Sequence, residues 1–418
     1  MKFRPILAHA LLFLVVAPAS AQDGLATKTV IPIATPEAVG MSASKLSNVD
    51  QAMKDFVADG KMVGGIVMIA RRGKICFFES YGLADREGNQ AMEKDTIVRI
   101  YSMTKAITTA AALMLVDEGK LRVDDAVSKY IPELSSLKIV SQEGETPAQR
   151  AMTVADLMRH TSGLTYGWSN DRLARVQNER GLLDRDKSLE EMAGKMADMP
   201  IRFEPSTGWE YGISTDVLGR VIEVVAEVPF ETFLQARLLD PLEMRDTDFY
   251  VPPEKQSRLA ACYSAGELKR LDEQDTLFLD EPAFKSGGGG LVSTASDYMK
   301  FLMMIERGGE LFGKRYLKPE TTRLMTSNQL PEGVGWIRFG QEVREGVGFS
   351  FGFSVREEMS NWDPDGKVGE YGWGGAASTH YWVSPKDELI VITIEQVMPY
   401  RWLTEFGVKK QIYDSIVD

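Results

Sequence analysis

Apolar positions recur at helical spacing from Ser42 to Gly60, where Leu46, Val49, Met53, Phe56 and Val57 share one face and Ser42 is placed to cap the start. An amphipathic helix is predicted there. Two β-like runs come next, Gly65 to Arg71 and Ile75 to Tyr81, and the Arg72-Gly73 pair between them predicts a hairpin. After the short run Ile97 to Tyr101, the stretch Ser102 to Gly119 is rich in alanine, threonine and leucine and nearly uncharged until its end. Such a helix belongs in a core. From about 120 to 285 the pattern is mostly helical, with loops marked by Pro147, Gly163, Gly181 and Pro205. Thr153 to Asp156 reads as a capping signature with Gly163 as its stop. Past the glycines at 287–290 and a helix from Ala295 to Arg307, the chain turns strand-like again at Gly348 to Val355, Tyr381 to Ser384 and Leu389 to Glu395. A last helix begins near Trp402. Strands at both ends around a helical middle predict one sheet, from about 33–119 and 286–418, with an inserted helical domain at about 120–285.

The N-terminus is a separate piece. Lys2 and Arg4 precede an apolar run, Ile6 to Val16, that is too short to span a bilayer, and Ala19-Ser20-Ala21 forms a small-residue cleavage site before Gln22. Residues 1–21 are therefore expected to be a signal peptide cut after Ala21, giving a periplasmic or secreted protein. Gln22 rather than cysteine follows the cut, which argues against a lipid anchor there. No later stretch stays apolar for eighteen residues, so no membrane span is expected after processing.

A composition 44% hydrophobic and 26% charged excludes collagen-like and mainly disordered chains. The formal charge of −12 becomes −14 once Lys2 and Arg4 are removed with residues 1–21. Such a surface, with no basic patch, repels phosphate backbones, so nucleic acid is not expected and a small molecule is the expected partner. Cys76, in a strand-like run, reads as a buried thiol; a single bridge to Cys262 stays open. With two histidines left after processing, His160 and His380, and no HExxH or CxxC, neither a metal nor a cofactor is expected.

The pattern Ser-x-x-Lys occurs at Ser42, Ser102 and Ser135. Ser42 caps a surface helix and Ser135 lies in a loop after Pro132. Only Ser102-Met103-Thr104-Lys105 opens the apolar helix, where residues three apart share a face. A helix N-terminus favours a developing anion at the serine, and burial favours the neutral amine that lets a lysine act as base. The same tetrad also fits a capping serine beside a lysine that reaches for solvent.

Phe203-Glu204-Pro205 through Trp209-Glu210-Tyr211-Gly212 and then Thr215 to Gly219 resembles the second active-site element of the serine β-lactamase and penicillin-binding-protein superfamily, in particular class C β-lactamases and family VIII esterases. His160 to Leu164, Asp240-Pro241-Leu242 and Gly372 to Gly375 add to the likeness, which runs from about Ile33 to Pro399. The resemblance implies a β-lactamase/transpeptidase-like α/β (α+β) fold, an antiparallel sheet flanked by helices. It implies Ser102 as nucleophile, Lys105 as its base and Tyr211 as partner in proton transfer. Trp373-Gly374-Gly375 stands where β-lactamases carry Lys-Thr-Gly, and the amides of Ser102 and Ala376 would form the oxyanion hole. Paired strand glycines mark a bulge or a close approach, here by substrate. Two departures bear on specificity: Ile213 replaces an asparagine that binds the substrate amide, and Trp373 replaces the lysine that attracts its carboxylate. Both remove polar handles, which favours neutral acyl esters and a carboxylesterase. The alternatives are a β-lactamase, a D-amino-acid peptidase or an amidase and, in a different class, a ligand-binding homologue without turnover.

Other features read as structural. His160 is expected to make a cap or carbonyl contact, and His380 to pack in the core or at an edge. Gly308 to Lys314 fits a phosphate loop only until Arg315 and reads as a helix stop and turn. Ser286 to Gly290 reads as a tight turn under the site. Trp168, Trp209 and Tyr381 are candidate pocket walls. No Gly-x-Ser-x-Gly elbow occurs.

Overall fold

The hairpin read from the sequence lies toward one edge of an eight-stranded sheet. Arg72 and Gly73 both lie at positive φ, 52° and 70°, in the two-residue turn whose twist matches the strands it joins. These are β1 (Gly64–Arg71) and β2 (Lys74–Asp85), with β3 (Gln90–Ala91) at the edge. The computed structural model describes Met1 and residues 30–141, 144–168 and 171–418, so the expected signal peptide, Met1 apart, lies outside the described residues. The other strands come from the far end of the chain: β4 (Val347–Phe349), β5 (Ser354–Arg356), β6 (Tyr371–Gly375), β7 (Thr379–Ser384) and β8 (Leu389–Ile394). The order is β4-β5-β6-β7-β8-β1-β2-β3, antiparallel throughout.

Every residue of β1 and β8 is buried, because both faces of the sheet are covered. That explains why their sequences run apolar without alternating. Ile66, Met68, Ala70, Ile390, Ile392 and Ile394 face the main core. Val67, Ile69, Leu389 and Val391 face a second, smaller core. Each of these side chains other than Ala70 contributes roughly 1.5–3 kcal/mol when fully buried. The helices include α1 (Ala43–Ala58), α2 (Thr104–Asp117), α3 (Val154–Met158), α4 (Ser214–Ala226), α5 (Ala295–Glu306) and α6 (Leu403–Asp414). α1 and α6 close the smaller core, and α2 runs through the main one with every side chain from Thr104 to Leu115 buried.

Ser42 caps α1 as expected, and Thr153 and Asp156 form the reciprocal capping box of α3. Among the described residues the middle of the chain has more helices than strands, but turns and loops make up most of it, and it also holds a small sheet of Lys138–Ser141, Gly144–Pro147 and Pro200–Ile201. Strands this short leave no period-two trace in a sequence. Gly163 is not the stop of α3, which ends at Met158 and leaves through His160 at φ 59°. Gly163, at φ 80°, instead lets the loop pass the carbonyl of Phe203, which a Cβ would meet at 3.0 Å.

Candidate active site

Ser102 lies in the tight turn Tyr101–Met103 that leads into α2, so the helix itself starts two residues later than the sequence suggested. Tyr101 has φ 40°, a left-handed conformation that side chains with a Cβ seldom adopt. Neighbours hold the turn in place. The Tyr101 hydroxyl donates to Gln274 Oε1 at 2.6 Å, the Tyr298 hydroxyl donates to the Met103 carbonyl at 2.8 Å, and the Ile100 amide donates to the Leu291 carbonyl at 3.2 Å.

Lys105 is 1% exposed, and its Nζ reaches Ser102 Oγ at 3.2 Å, the Tyr166 hydroxyl at 2.8 Å and the Gly288 carbonyl at 2.6 Å. An ammonium has three donors and a neutral amine two donors and one lone pair. The Gly288 carbonyl can only accept, so in the neutral form Lys105 directs donors at Gly288 and Tyr166 and its lone pair at Ser102. That is the arrangement a base needs.

The two supports come from different parts of the chain. Gly288 belongs to the turn at 286–290, which passes under the site as expected, and Thr108 on α2 donates to the neighbouring Gly287 carbonyl at 2.8 Å. Asp216, fully buried on α4, accepts from Ser286 Oγ at 2.5 Å and the Gly288 amide at 3.0 Å. Burial pushes its carboxyl pKa up, against the opposing pull of Lys105 and these hydrogen bonds. Tyr166 was missed by the sequence reading. It lies two residues past the His160 to Leu164 stretch, and that proximity was the only available signal. Burial, then Asp216 and Tyr211, push its pKa well above the ordinary range, so the hydroxyl keeps its proton.

Tyr211 is brought to Lys105 by its ring rather than by its hydroxyl. Lys105 Nζ stands 4.6 Å from the ring centroid, while the hydroxyl accepts from Trp373 Nε1 at 3.1 Å. Trp209 stacks behind it, with centroids 5.9 Å apart and planes at 16°. The loops carrying these rings are tied to Asp156, which accepts from Thr153, Thr161, Ser206, Arg150 and Arg159.

Trp373, Gly374, Gly375 and Ala376 line one cleft of about 630 Å³ together with Ser102, Tyr211, Trp168 and His380, within the range of small-molecule sites. β6 pairs with β7 in regular register through Gly375, without a bulge. The group that approaches Gly375 is protein backbone: a Cβ there would collide with the carbonyl of Ile100, two residues before Ser102. Absence of a side chain thus lets β6 lie against the segment that carries Ser102.

Several expectations are corrected by these contacts. Both ring nitrogens of buried His160 lack hydrogen-bond partners, and the ring packs on Tyr211 and Phe349, at 4.9 and 5.5 Å, instead of making a cap contact. Burial, then the charge of Lys105, push its pKa well below the ordinary value, so it is neutral. His380 is not mere packing: it lines the cleft with Nε2 2.9 Å from Glu405 and Nδ1 3.0 Å from the Tyr400 hydroxyl. Of the proposed walls, Trp168 lines the cleft and stacks on Tyr166 at 4.6 Å. Trp209 sits behind Tyr211, and Tyr381 is buried in the main core. Ile213 is fully buried at the start of α4 and presents nothing to the cleft. Cys76 and Cys262 are both buried and do not pair with each other, and burial raises the Cys76 thiol pKa to about 11. Gly308 and Gly309 end α5 and lead into a short hairpin, as expected.

The Beta-lactamase family model matches residues 49–400. An uncharacterised protein of Mycobacterium tuberculosis is 33% identical over 366 residues, which cover 83% of this chain and 89% of that one. Esterase EstB of Burkholderia gladioli is 30% identical over 372 residues, with 83% and 89% covered. Among solved structures, EstCE1, described as a hydrolase with promiscuous acyltransferase activity, aligns over 88% of this chain and 98% of its own with a TM-score of 0.75. At 24% identity that likeness speaks for the fold, the antiparallel sheet and helices expected from the resemblance.

Proposed function

The chain belongs to the beta-lactamase family of serine hydrolases, and on that premise we propose that it cleaves carboxylic esters through an acyl-enzyme on Ser102. The observation that carries the reading is the buried Lys105 amine held between Ser102, Tyr166 and Gly288. Ser102 Oγ attacks the ester carbonyl and passes its proton to the lone pair of the Lys105 amine, the form of Lys105 that reacts. The C–O bond to the alcohol then breaks, and the departing alkoxide takes a proton from the Lys105–Tyr211 side of the cleft. Water enters, gives a proton to the same base and attacks the acyl carbonyl. Ser102 leaves reprotonated and the product is a carboxylic acid. Tyr166 positions Lys105, and Tyr211 serves as acid toward the leaving group. Amides of Ser102 and Ala376 receive the oxyanion, each such donor being typically worth about 3 kcal/mol in the transition state.

Ester rather than amide substrates are favoured because Trp373 and the buried Ile213 offer neither the lysine nor the asparagine of the lactam-binding pattern. The reading includes export: residues 1–21 act as a signal peptide, and sequencing the mature protein from its host should give Gln22 first. The catalytic test compares a short-chain 4-nitrophenyl ester with a chromogenic cephalosporin, with Ser102→Ala as control. Ester turnover lost in the variant is expected. Faster cephalosporin turnover would reject the ester preference, and turnover surviving Ser102→Ala would reject the nucleophile.

A further inference from the structure

Arg344 lines the same cleft as Ser102 and has no part in the chemistry above. It follows the hairpin of Arg338–Phe339 and Glu342–Val343. Its guanidinium carbon stands 4.4 Å from the ring centroid of Phe339, 4.5 Å from that of Trp362 and 4.7 Å from that of Trp402. Ring faces stabilise the charge but accept few of its five N–H donors. Only 14% of the side chain is exposed, and its ion pair with Glu342 is long, 3.7 Å from Nε to a carboxylate that is itself 55% exposed. Nε is buried with no acceptor, and the side chain makes no hydrogen bond among the described residues. Burial also draws the guanidinium pKa down, against the pull of Glu405, Tyr400, Glu342 and Tyr211.

The other cations of the cleft wall, Arg356 and Lys409, each have a close carboxylate partner, although Arg356 Nε and Nη1 are also buried without an acceptor. Arg356 and Lys409 donate to Asp363 at 2.8 and 2.6 Å, Lys409 also reaches Glu370 at 2.9 Å, and His380 meets Glu405 at 2.9 Å. Arg344 is thus a desolvated cation with hydrogen-bond donors to spare, in a cavity that must admit substrate. A guanidinium edge matches a carboxylate in shape as well as in charge, and the pair gains most where water is excluded.

We propose that Arg344 binds a free carboxylate on the substrate, so that the esters cleaved at Ser102 are those of acids or alcohols carrying a second, unesterified carboxyl group. The inference rests on the ester reading. It departs from the expectation of neutral esters, which drew on Ile213 and Trp373 without regard to Arg344. Loss of the strand lysine moves the anion site from β6 to the aromatic cage.

Two matched pairs of esters test it. 4-Nitrophenyl hydrogen glutarate and 4-nitrophenyl valerate place the charge on the acyl side; 4-acetoxybenzoate and phenyl acetate place it on the alcohol side. Arg344→Gln is expected to lower the charged-to-neutral ratio of kcat/KM about tenfold or more in one pair, the scale of a charge-assisted hydrogen bond. An unchanged ratio in both pairs overturns the proposal. Should Arg344→Gln misfold, Glu342→Gln decides: it leaves the cage in place and removes the competing carboxylate, so the ratio should rise about twofold or more, and no rise overturns the proposal. Should the wild type hydrolyse none of these esters, the ester reading fails by itself. The anion site is then judged by glutarate binding to Ser102→Ala, followed by tryptophan fluorescence. Binding lost on adding Arg344→Gln supports the site, and no binding, or binding indifferent to that change, rejects it.

Discussion

Replacing Gly288 by alanine tests whether the hydrogen bonds around Lys105 set the rate. A Cβ at that position would lie 2.5 Å from Asp216 Oδ2 and 2.7 Å from the Tyr166 hydroxyl, against a floor of 3.0 Å for real Cβ contacts. The shortfalls, 3.0 less 2.5 and 3.0 less 2.7, are 0.5 and 0.3 Å. Neither neighbour yields freely. The Tyr166 hydroxyl is bonded to Lys105 and its ring stacks on Trp168, while Asp216 is buried and anchored by Ser286. Movement of the tyrosine stretches its 2.8 Å bond to Lys105, and movement of the turn carries away the Gly288 carbonyl 2.6 Å from Nζ. Either way Lys105 loses one of the two groups that hold it against Ser102. Gly288 is not in the left-handed region, so the methyl, not backbone strain, is what the variant adds. A misplacement of about 1 Å can cost about 100-fold in rate; a third to a half of that points to a loss of about tenfold in kcat, or about 1.4 kcal/mol. KM should change little, because Gly288 does not line the cleft. Overpacking should also lower stability by about 1–3 kcal/mol in urea unfolding. A folded Gly288→Ala protein with kcat within about twofold of wild type would refute the reasoning.

The two tyrosines should separate by leaving group. Tyr211→Phe is expected to slow alkyl esters about 100-fold but 4-nitrophenyl esters much less, since nitrophenolate departs without a proton; an equal loss on both series would remove Tyr211 as the acid. Tyr166→Phe, acting through Lys105, should lower kcat on both series alike and alter the pH–rate profile. Asp156→Asn is expected to cost about 3 kcal/mol in urea unfolding at pH 7, because it breaks a buried, charge-assisted network. Burial alone would raise the Asp156 pKa, but hydrogen bonds from Ser206, Thr153 and Thr161 hold it below the ordinary 3.8. A depressed carboxylate stabilises the fold above that value, and its contribution is lost as pH falls through the native pKa. The wild type should therefore lose stability below about pH 4 more steeply than the variant; parallel curves would contradict the assignment.

The parts of the structure that depend on neighbours in sequence were legible. Arg72 and Gly73 between two apolar runs announced the hairpin, Ser42 and Thr153 announced their helices, and the uncharged stretch after Ser102 announced the buried α2. Ser102 and Lys105 were singled out by their spacing of three at the head of that stretch together with the family resemblance, since the spacing alone also fitted a capping serine. What was missed depends on contacts between distant segments. Tyr166 reaches Lys105 from 61 residues away in the chain, and a tyrosine in a loop carries no periodicity. His380 looked like a strand residue until Tyr400 and Glu405 were folded against it. Arg344 follows a hairpin with nothing in its own sequence to announce a cage whose rings lie at 339, 362 and 402. Strand glycines were recognised as marking a close approach, but only the fold shows that the approaching group is the backbone of Ile100.

Adjacency of β1 and β8 has a consequence for synthesis. Residues 64–71 leave the ribosome long before 389–394, the strand that covers one of their edges. In the interval β1, apolar on both faces, has an edge of unpaired amide and carbonyl groups, the kind of template on which nascent chains associate. Pairing across so many residues is slow, since the intervening loop must close first. That edge stays open to association until translation has passed β8. A product terminated before Leu389 would emerge as a ready partner for aggregation, not as a smaller enzyme.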